Sequence, residues 1–197
     1  MATPFERVTL EGNNVVLKPL SDHHADSLAT IIQESELWKL FVTSVPPATE
    51  IRQYIDQAHA TYHTGEGLAF VIINKDTDQI VGSSRFTRAE MKHKRLEIGY
   101  TFLGNQWQRT KINTEAKLLM LSYAFEQLAI NRVEFITDYL NHRSQQALIR
   151  IGAKKEGIMR NHMIMRDGRI RDSILFSIIK QEWPGIKQHL LFKLESN

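Results

Sequence analysis

No cysteine occurs in the 197 residues. Disulfides, thiolate nucleophiles and cysteine-based zinc sites are excluded together, and no chemistry here can pass through a cysteine thioester. Long apolar runs are also missing. None approaches the ~20 residues needed to cross a bilayer. The first ten residues, MATPFERVTL, lack a basic segment followed by an apolar stretch, so they do not read as a signal peptide. A cytoplasmic protein without membrane contact is expected. There is no internal repeat, low-complexity tract or Pro/Gly-rich linker, so one domain is expected over residues 1–197. Charge of one sign is scarce: the net charge of +3 is too small an excess to argue for direct nucleic-acid binding, although it suits a polyanionic cofactor. Walker loops, a Rossmann glycine fingerprint after a strand, and a Gly-x-Ser-x-Gly elbow are absent as well.

What is present alternates between strand-like and helix-like segments. Val15–Leu17 reads as a short strand, and Asp22–Gln33 as a helix with Leu28, Ile31 and Ile32 on one side. Glu50–His63 carries Ile51, Tyr54, Ile55 and Ala58 at helical spacing. Leu68–Ile73 and Ile80–Phe86 read as a hairpin around the polar Asn74–Asp78. Arg95–Leu103 alternates, which predicts Leu96, Ile98, Tyr100 and Phe102 on one face and Glu97, Gly99 and Thr101 on the other. A long helix follows, striped by Leu118, Leu121, Phe125 and Leu128 and broadened by Leu119 and Ala129. Arg132–Asp138 is a strand. Asn141–Ile151 is a short helix, with Asn141 as N-cap and Gly152 as stop signal. Asp167-Gly168 joins two last strands. The order β α α β β β α β α β β implies an α/β (α+β) domain with a mixed sheet flanked by helices.

One junction invites a ligand. Gln106 to Glu115, QWQRTKINTE, lies between a strand and the long helix. Such a place offers unpaired backbone N–H groups and the positive end of a helix dipole, a natural phosphate site. Arg109 and Lys111 add full charges. An ordinary loop capped by Thr110 or Asn113 fits the local residues equally well.

Three stretches carry a resemblance: WQRTKINTEAKLLMLSYAFE, RVEFITDYLNHRSQQALIRIGAKKEG, and the closing RDGRIRDSILFSIIKQEW. Together with the element order they resemble the GNAT superfamily of N-acetyltransferases over nearly the whole chain, in the branch that acetylates ribosomal-protein N-termini at alanine. The resemblance implies a V-split central sheet, acetyl-CoA as acyl donor, no metal, and an amine acceptor: a protein or peptide N-terminus, or a small molecule. A homodimer is compatible with it.

In that family the segment matching Gln108, Arg109, Thr110, Lys111, Ile112, Asn113 and Thr114 holds the pyrophosphate of acetyl-CoA through backbone amides. Lys111 and Asn113 replace the glycine and the glycine or alanine of the family motif, so Lys111 must point away or offer its ammonium to a phosphate. The strand residues Thr101, Phe102 and Leu103 match the amides that hold the pantetheine and the acetyl oxygen, and Asn141 stands at the start of the next helix on the cofactor side. Leu148 occupies the position of the tyrosine that many members use as acid, and it has no proton to give. Ser144 matches the serine used by the nearest branch, with Tyr139 in reserve. For the base the resemblance favours Glu97, ahead of His162 and Asp172. Trp38 and Phe41 fall where related proteins shape the acceptor pocket, as does His162. A solvated carboxylate at Glu97, a helix-start serine at Ser144 and core aromatics at Trp38 and Phe41 are the plain alternatives. His59 and His63 share i, i+4 spacing without a third ligand and, like His23-His24, read as surface. A non-catalytic acyl-CoA-binding module is the rival from another functional class.

Overall fold

The computed structural model describes residues 4–196. Eight strands form one sheet in the order β1-β2-β3-β4-β5-β6-β8-β7. They are β1 (Leu10–Glu11), β2 (Val15–Pro19), β3 (Leu68–Asn74), β4 (Gln79–Glu90), β5 (Arg95–Leu103), β6 (Arg132–Asp138), β7 (Lys154–Ile164) and β8 (Ile170–Ile179). The helices are α1 (Ala25–Ser35), α2 (Ile51–His63), α3 (Lys111–Ser122), α4 (His142–Arg150) and α5 (Trp183–Glu195). The mixed sheet and its flanking helices are those expected from the sequence. Two elements are additional: β1, only two residues long, and α5, whose start carries Pro184 and Gly185 and so hides its helical pattern.

Two apolar layers cover the sheet. Leu96, Ile98, Leu121, Phe86 and Phe176 belong to the layer beneath α3 and α5. Leu28, Ile32, Tyr54, Ile55 and Phe102 belong to the layer beneath α1 and α2. α3 is anchored through its buried Glu115, which accepts the amides of Asn13 and Asn14 at 2.7 and 2.8 Å. Gly12 permits this approach, because a Cβ there would lie 2.7 Å from the Glu115 carboxyl carbon.

The alternation expected along β5 holds only to Gly99. On β4, Ser84 alone separates the partners of Gly99 and Phe102, whereas β5 inserts both Tyr100 and Thr101 between them. This is a β-bulge, with Tyr100 in the left-handed region at φ 53°. The extra residue reverses the faces. Leu96 and Ile98 point toward α3, while Tyr100 and Phe102 meet Tyr54 of α2 at centroid distances of 6.4 and 6.1 Å. Thr101, expected on the Glu97 face, turns instead to the α3 side. A one-residue insertion flips every following side chain, and no periodicity reading registers it in advance.

The sheet then splits. β5 and β6 are parallel but pair only over Arg95–Glu97 and Arg132–Glu134. Beyond Glu134, β6 continues to pair with β8 as far as Asp138, while β5 pairs only with β4. The far half of β5 therefore presents a free edge to the gap.

Candidate active site

The gap opens into a cleft of about 950 Å³, at the upper end of the range for small-molecule sites. Its walls come from β5, the start of α3, the end of β6, α4 and the connection between α1 and α2. Among the residues singled out in the sequence, Glu97, Thr101, Phe102, Leu103, Gln108, Arg109, Asn113, Asn141 and Ser144 all line it.

The β5–α3 junction forms one end. Arg109 takes the left-handed conformation (φ 65°) that usually falls to glycine, and Thr110 caps α3 by accepting the Ile112 amide at 3.3 Å. The Ile112 side chain is core, so only its backbone is available to a ligand. Gln108 donates to the Leu103 carbonyl at 2.8 Å and accepts from Arg143 of α4, bridging the cleft. Thr110, Lys111 and Thr114 face a smaller adjoining hollow that Arg109, Arg150 and Lys193 also line. The Lys111 side chain thus sits among other cations beside a helix N-terminus, an arrangement suited to phosphate groups.

At the other end Glu97 is 7% exposed, on the face that carries α2. Its carboxylate accepts from Arg88 at 3.2 Å. Burial pushes its proton affinity above the usual carboxylate range, and the Arg88 guanidinium only partly opposes the shift. Gly99 keeps the space beside it open, since a Cβ there would lie 2.8 Å from Glu97 Oε1. Asp138, wholly buried, accepts from Arg169 at 2.5 Å and from the Leu140 amide at 2.9 Å.

α4 closes the cleft. The Asn141 side chain accepts the Ser144 amide at 3.0 Å, which makes Asn141 the N-cap the sequence indicated and leaves the Ser144 hydroxyl out of the capping. Leu148 adds an apolar wall. Trp38, Phe41, His162, Tyr139 and Asp172 are not part of the lining. Trp38 and Phe41 are exposed, and their neighbours Leu37, Leu40 and Val42 take the wall positions. Phe41 instead lies under the Arg169 guanidinium. His162 stands behind the wall, with Nδ1 3.0 Å from Ser173 Oγ. Burial together with Arg88 and Arg171 holds its pKa below the ordinary imidazole value.

Several cleft residues escaped the sequence reading. Lys117 interrupts the apolar run of α3; it is fully buried, donating to Thr101 Oγ1 at 2.6 Å and Ser84 Oγ at 3.0 Å. Burial without a carboxylate partner lowers its pKa to about 7. Arg88, Tyr100, Asp138, Arg143 and Arg171 are others. A lysine between Ala116 and Leu118 was the one visible signal, because a charge inside an apolar stripe is a mismatch.

The description "Acetyltransferase (GNAT) domain" matches residues 14–154. The chain belongs to the GNAT acetyltransferases. This GNAT chain is 26% identical over 172 residues to the uncharacterized N-acetyltransferase YoaA of Bacillus subtilis, covering 87% of this chain and 96% of that one. It is 27% identical over 125 residues to the [Ribosomal protein uS5]-alanine N-acetyltransferase of Escherichia coli, 61% and 62% of the two chains. That is the branch its motifs resemble. Among solved structures, a GCN5-related N-acetyltransferase from Brucella melitensis superposes with a TM-score of 0.85 at 31% identity, over 97% of this chain and 87% of that one. The protein is an N-acetyltransferase of the GNAT type.

Proposed function

We propose that the cleft binds acetyl-CoA through the β5–α3 junction and delivers its acetyl group directly to an amine held near Glu97. The observation that carries this reading is the split between β5 and β6, which ends at a helix N-terminus on one side and at a buried carboxylate on the other. The residues present fit the donor: a free strand edge, capped helix amides, and the cations Arg109 and Lys111. A Mycobacterium smegmatis RimJ structure with CoA-disulfide shares the fold, with a TM-score of 0.82 at 20% identity.

The donor supplies an activated thioester; this chain's residues do the rest. Glu97 takes a proton from the incoming ammonium, and its raised affinity places it closer to the amine it must deprotonate than an exposed carboxylate would be. Those backbone amides of Thr101, Phe102 and Leu103 that point to the free edge rather than to β4 stabilise the oxyanion. Ser144, with its hydroxyl free of the cap, gives a proton to the departing thiolate. No covalent intermediate on the protein is needed.

Thiol release from acetyl-CoA against a panel of peptides, amino acids, polyamines and aminoglycosides tests this, beside calorimetric titration with acetyl-CoA. Binding together with acceptor-dependent release supports the reading. Binding without turnover on any acceptor would favour an acyl-CoA-binding module, and no binding would end both.

A further inference from the structure

The acceptor end of the cleft is richer in guanidinium than in carboxylate. Glu97 and Asp138 are the two acids of the lining, and each already has an arginine: Arg88 at 3.2 Å and Arg169 at 2.5 Å. Two further arginines have no carboxylate within hydrogen-bond distance among the described residues. Arg171 of β8, 6% exposed, forms part of the wall. Its Nε donates to Ser173 Oγ at 2.8 Å and lies 3.9 Å from Asp138, while its terminal nitrogens make no hydrogen bond among the described residues. Arg85 of β4 is 3% exposed, and its Nε and Nη2 are buried without a hydrogen-bond partner. Its guanidinium is sandwiched between Tyr54 at 4.2 Å and Tyr100 at 4.0 Å, two rings that themselves line the cleft.

Buried cations without a hydrogen-bonded carboxylate are costly, and ring faces or a carboxylate at 3.9 Å offset only part of that cost. Such an arrangement is satisfied when a ligand brings the missing anion. Arg171 and Glu97 line the same cleft, so one small molecule can reach both.

We infer that the acceptor is a small amine that also carries a carboxylate, which pairs with the terminal nitrogens of Arg171 while the amine lies against Glu97. This rests on the assignment of the Glu97 end to the acceptor. A guanidinium offers two parallel N–H groups to a carboxylate, so geometry and charge act together. Arg85 adds positive potential from behind the tyrosines. A polyamine or aminoglycoside would bring further cations toward Arg171 and Arg85 and gain nothing from them. A protein N-terminus presents its amine without a neighbouring free carboxylate.

The test compares acceptors in matched pairs. Thiol release is followed with free amino acids and short peptides, with their carboxamides and methyl esters, and with spermidine. Free acids should exceed their own amides in kcat/KM by roughly tenfold to hundredfold, the range for a hydrogen bond to a charged group. Arg171→Gln should erase the preference through a raised KM for the acid, and Arg171→Lys should restore part of it. Should Arg171→Gln not fold, inhibition of the unaltered enzyme decides: N-acetyl amino acids should compete and their methyl esters should not. Equal use of acids and amides, fastest turnover with spermidine, or equal inhibition by acid and ester would overturn the inference while leaving the acetyltransferase reading intact. No release with any acceptor would overturn that reading itself.

Discussion

Lys117 Nζ lies 2.6 Å from Thr101 Oγ1 and so ties α3 to β5, whose far half has a free edge on the cleft. No carboxylate shares the site; two hydroxyls hold the amine, and burial lowers its pKa from 10.5 to about 7. The folded chain therefore keeps this amine largely neutral above about pH 7, whereas the unfolded chain keeps it protonated up to about 10.5. The unfolded state binds more protons over that window, so the stabilising contribution is complete above pH 10.5 and is lost as pH falls toward 7. Thermal unfolding of Lys117→Met should lack this rise with pH, and the variant should be the more stable chain near neutrality. Parallel melting curves for the two chains from pH 7 to 10 would contradict the assignment.

Lys111 lines a hollow with Arg109, Arg150 and Lys193 beside the N-terminus of α3. Lys111→Ala should weaken acetyl-CoA binding by about 1–2 kcal/mol, the scale of a charge-assisted hydrogen bond. The loss should shrink as salt is raised. Calorimetric titration at two ionic strengths measures both, and unchanged affinity would place the ammonium in solvent.

Glu97→Gln should reduce turnover by about 10²–10⁴-fold while acetyl-CoA affinity holds, because the cations suited to the phosphates lie at the other end of the cleft. The acid limb of the wild-type rate profile should sit above the usual carboxylate range, since the base works only after losing its proton, and the variant should lose that limb. Gly99→Ala offers a second route to the same group. Its methyl carbon would fall 2.8 Å from Glu97 Oε1 and displace the carboxylate without touching the core. Full activity in Gly99→Ala would show that the position of Glu97 does not matter.

Ser144 and Asn141 separate chemistry from folding within one turn. Asn141→Ala removes the cap of α4 and should cost about 0.5–2 kcal/mol in stability. Ser144→Ala leaves that cap in place, so its melting temperature should stay close to wild type while thiolate departure slows. Equal turnover in Ser144→Ala and wild type would leave water as the proton source.

Most of this frame was legible in the residues. The strand alternation from Arg95 as far as Gly99, the Leu118 and Leu121 stripe of the long helix, the Asn141 cap and the Asp167-Gly168 turn each act locally, and each is present. What escaped depends on distant partners. Trp38 and Phe41 look like pocket aromatics, yet the backbone turns their neighbours inward. Arg171 gains its meaning from how few carboxylates face it across the cleft. Lys117 is intelligible only once Ser84 and Thr101 stand opposite, and α5 only once Trp183 is buried against Phe125.

The bulge at Tyr100 sets a rule for length variation in this chain. A single-codon deletion there would give a more regular ladder with β4 and leave every neighbouring residue type unchanged. It would keep Thr101 toward α3 and Phe102 toward α2, with Ser84 facing Thr101 alone, and would take away only the Tyr100 ring beside Arg85. Substitutions along β5 are tolerated or not one side chain at a time. A residue gained or lost elsewhere in β5 exchanges the faces of all that follow, so a one-residue gap in related chains should fall at the bulge itself.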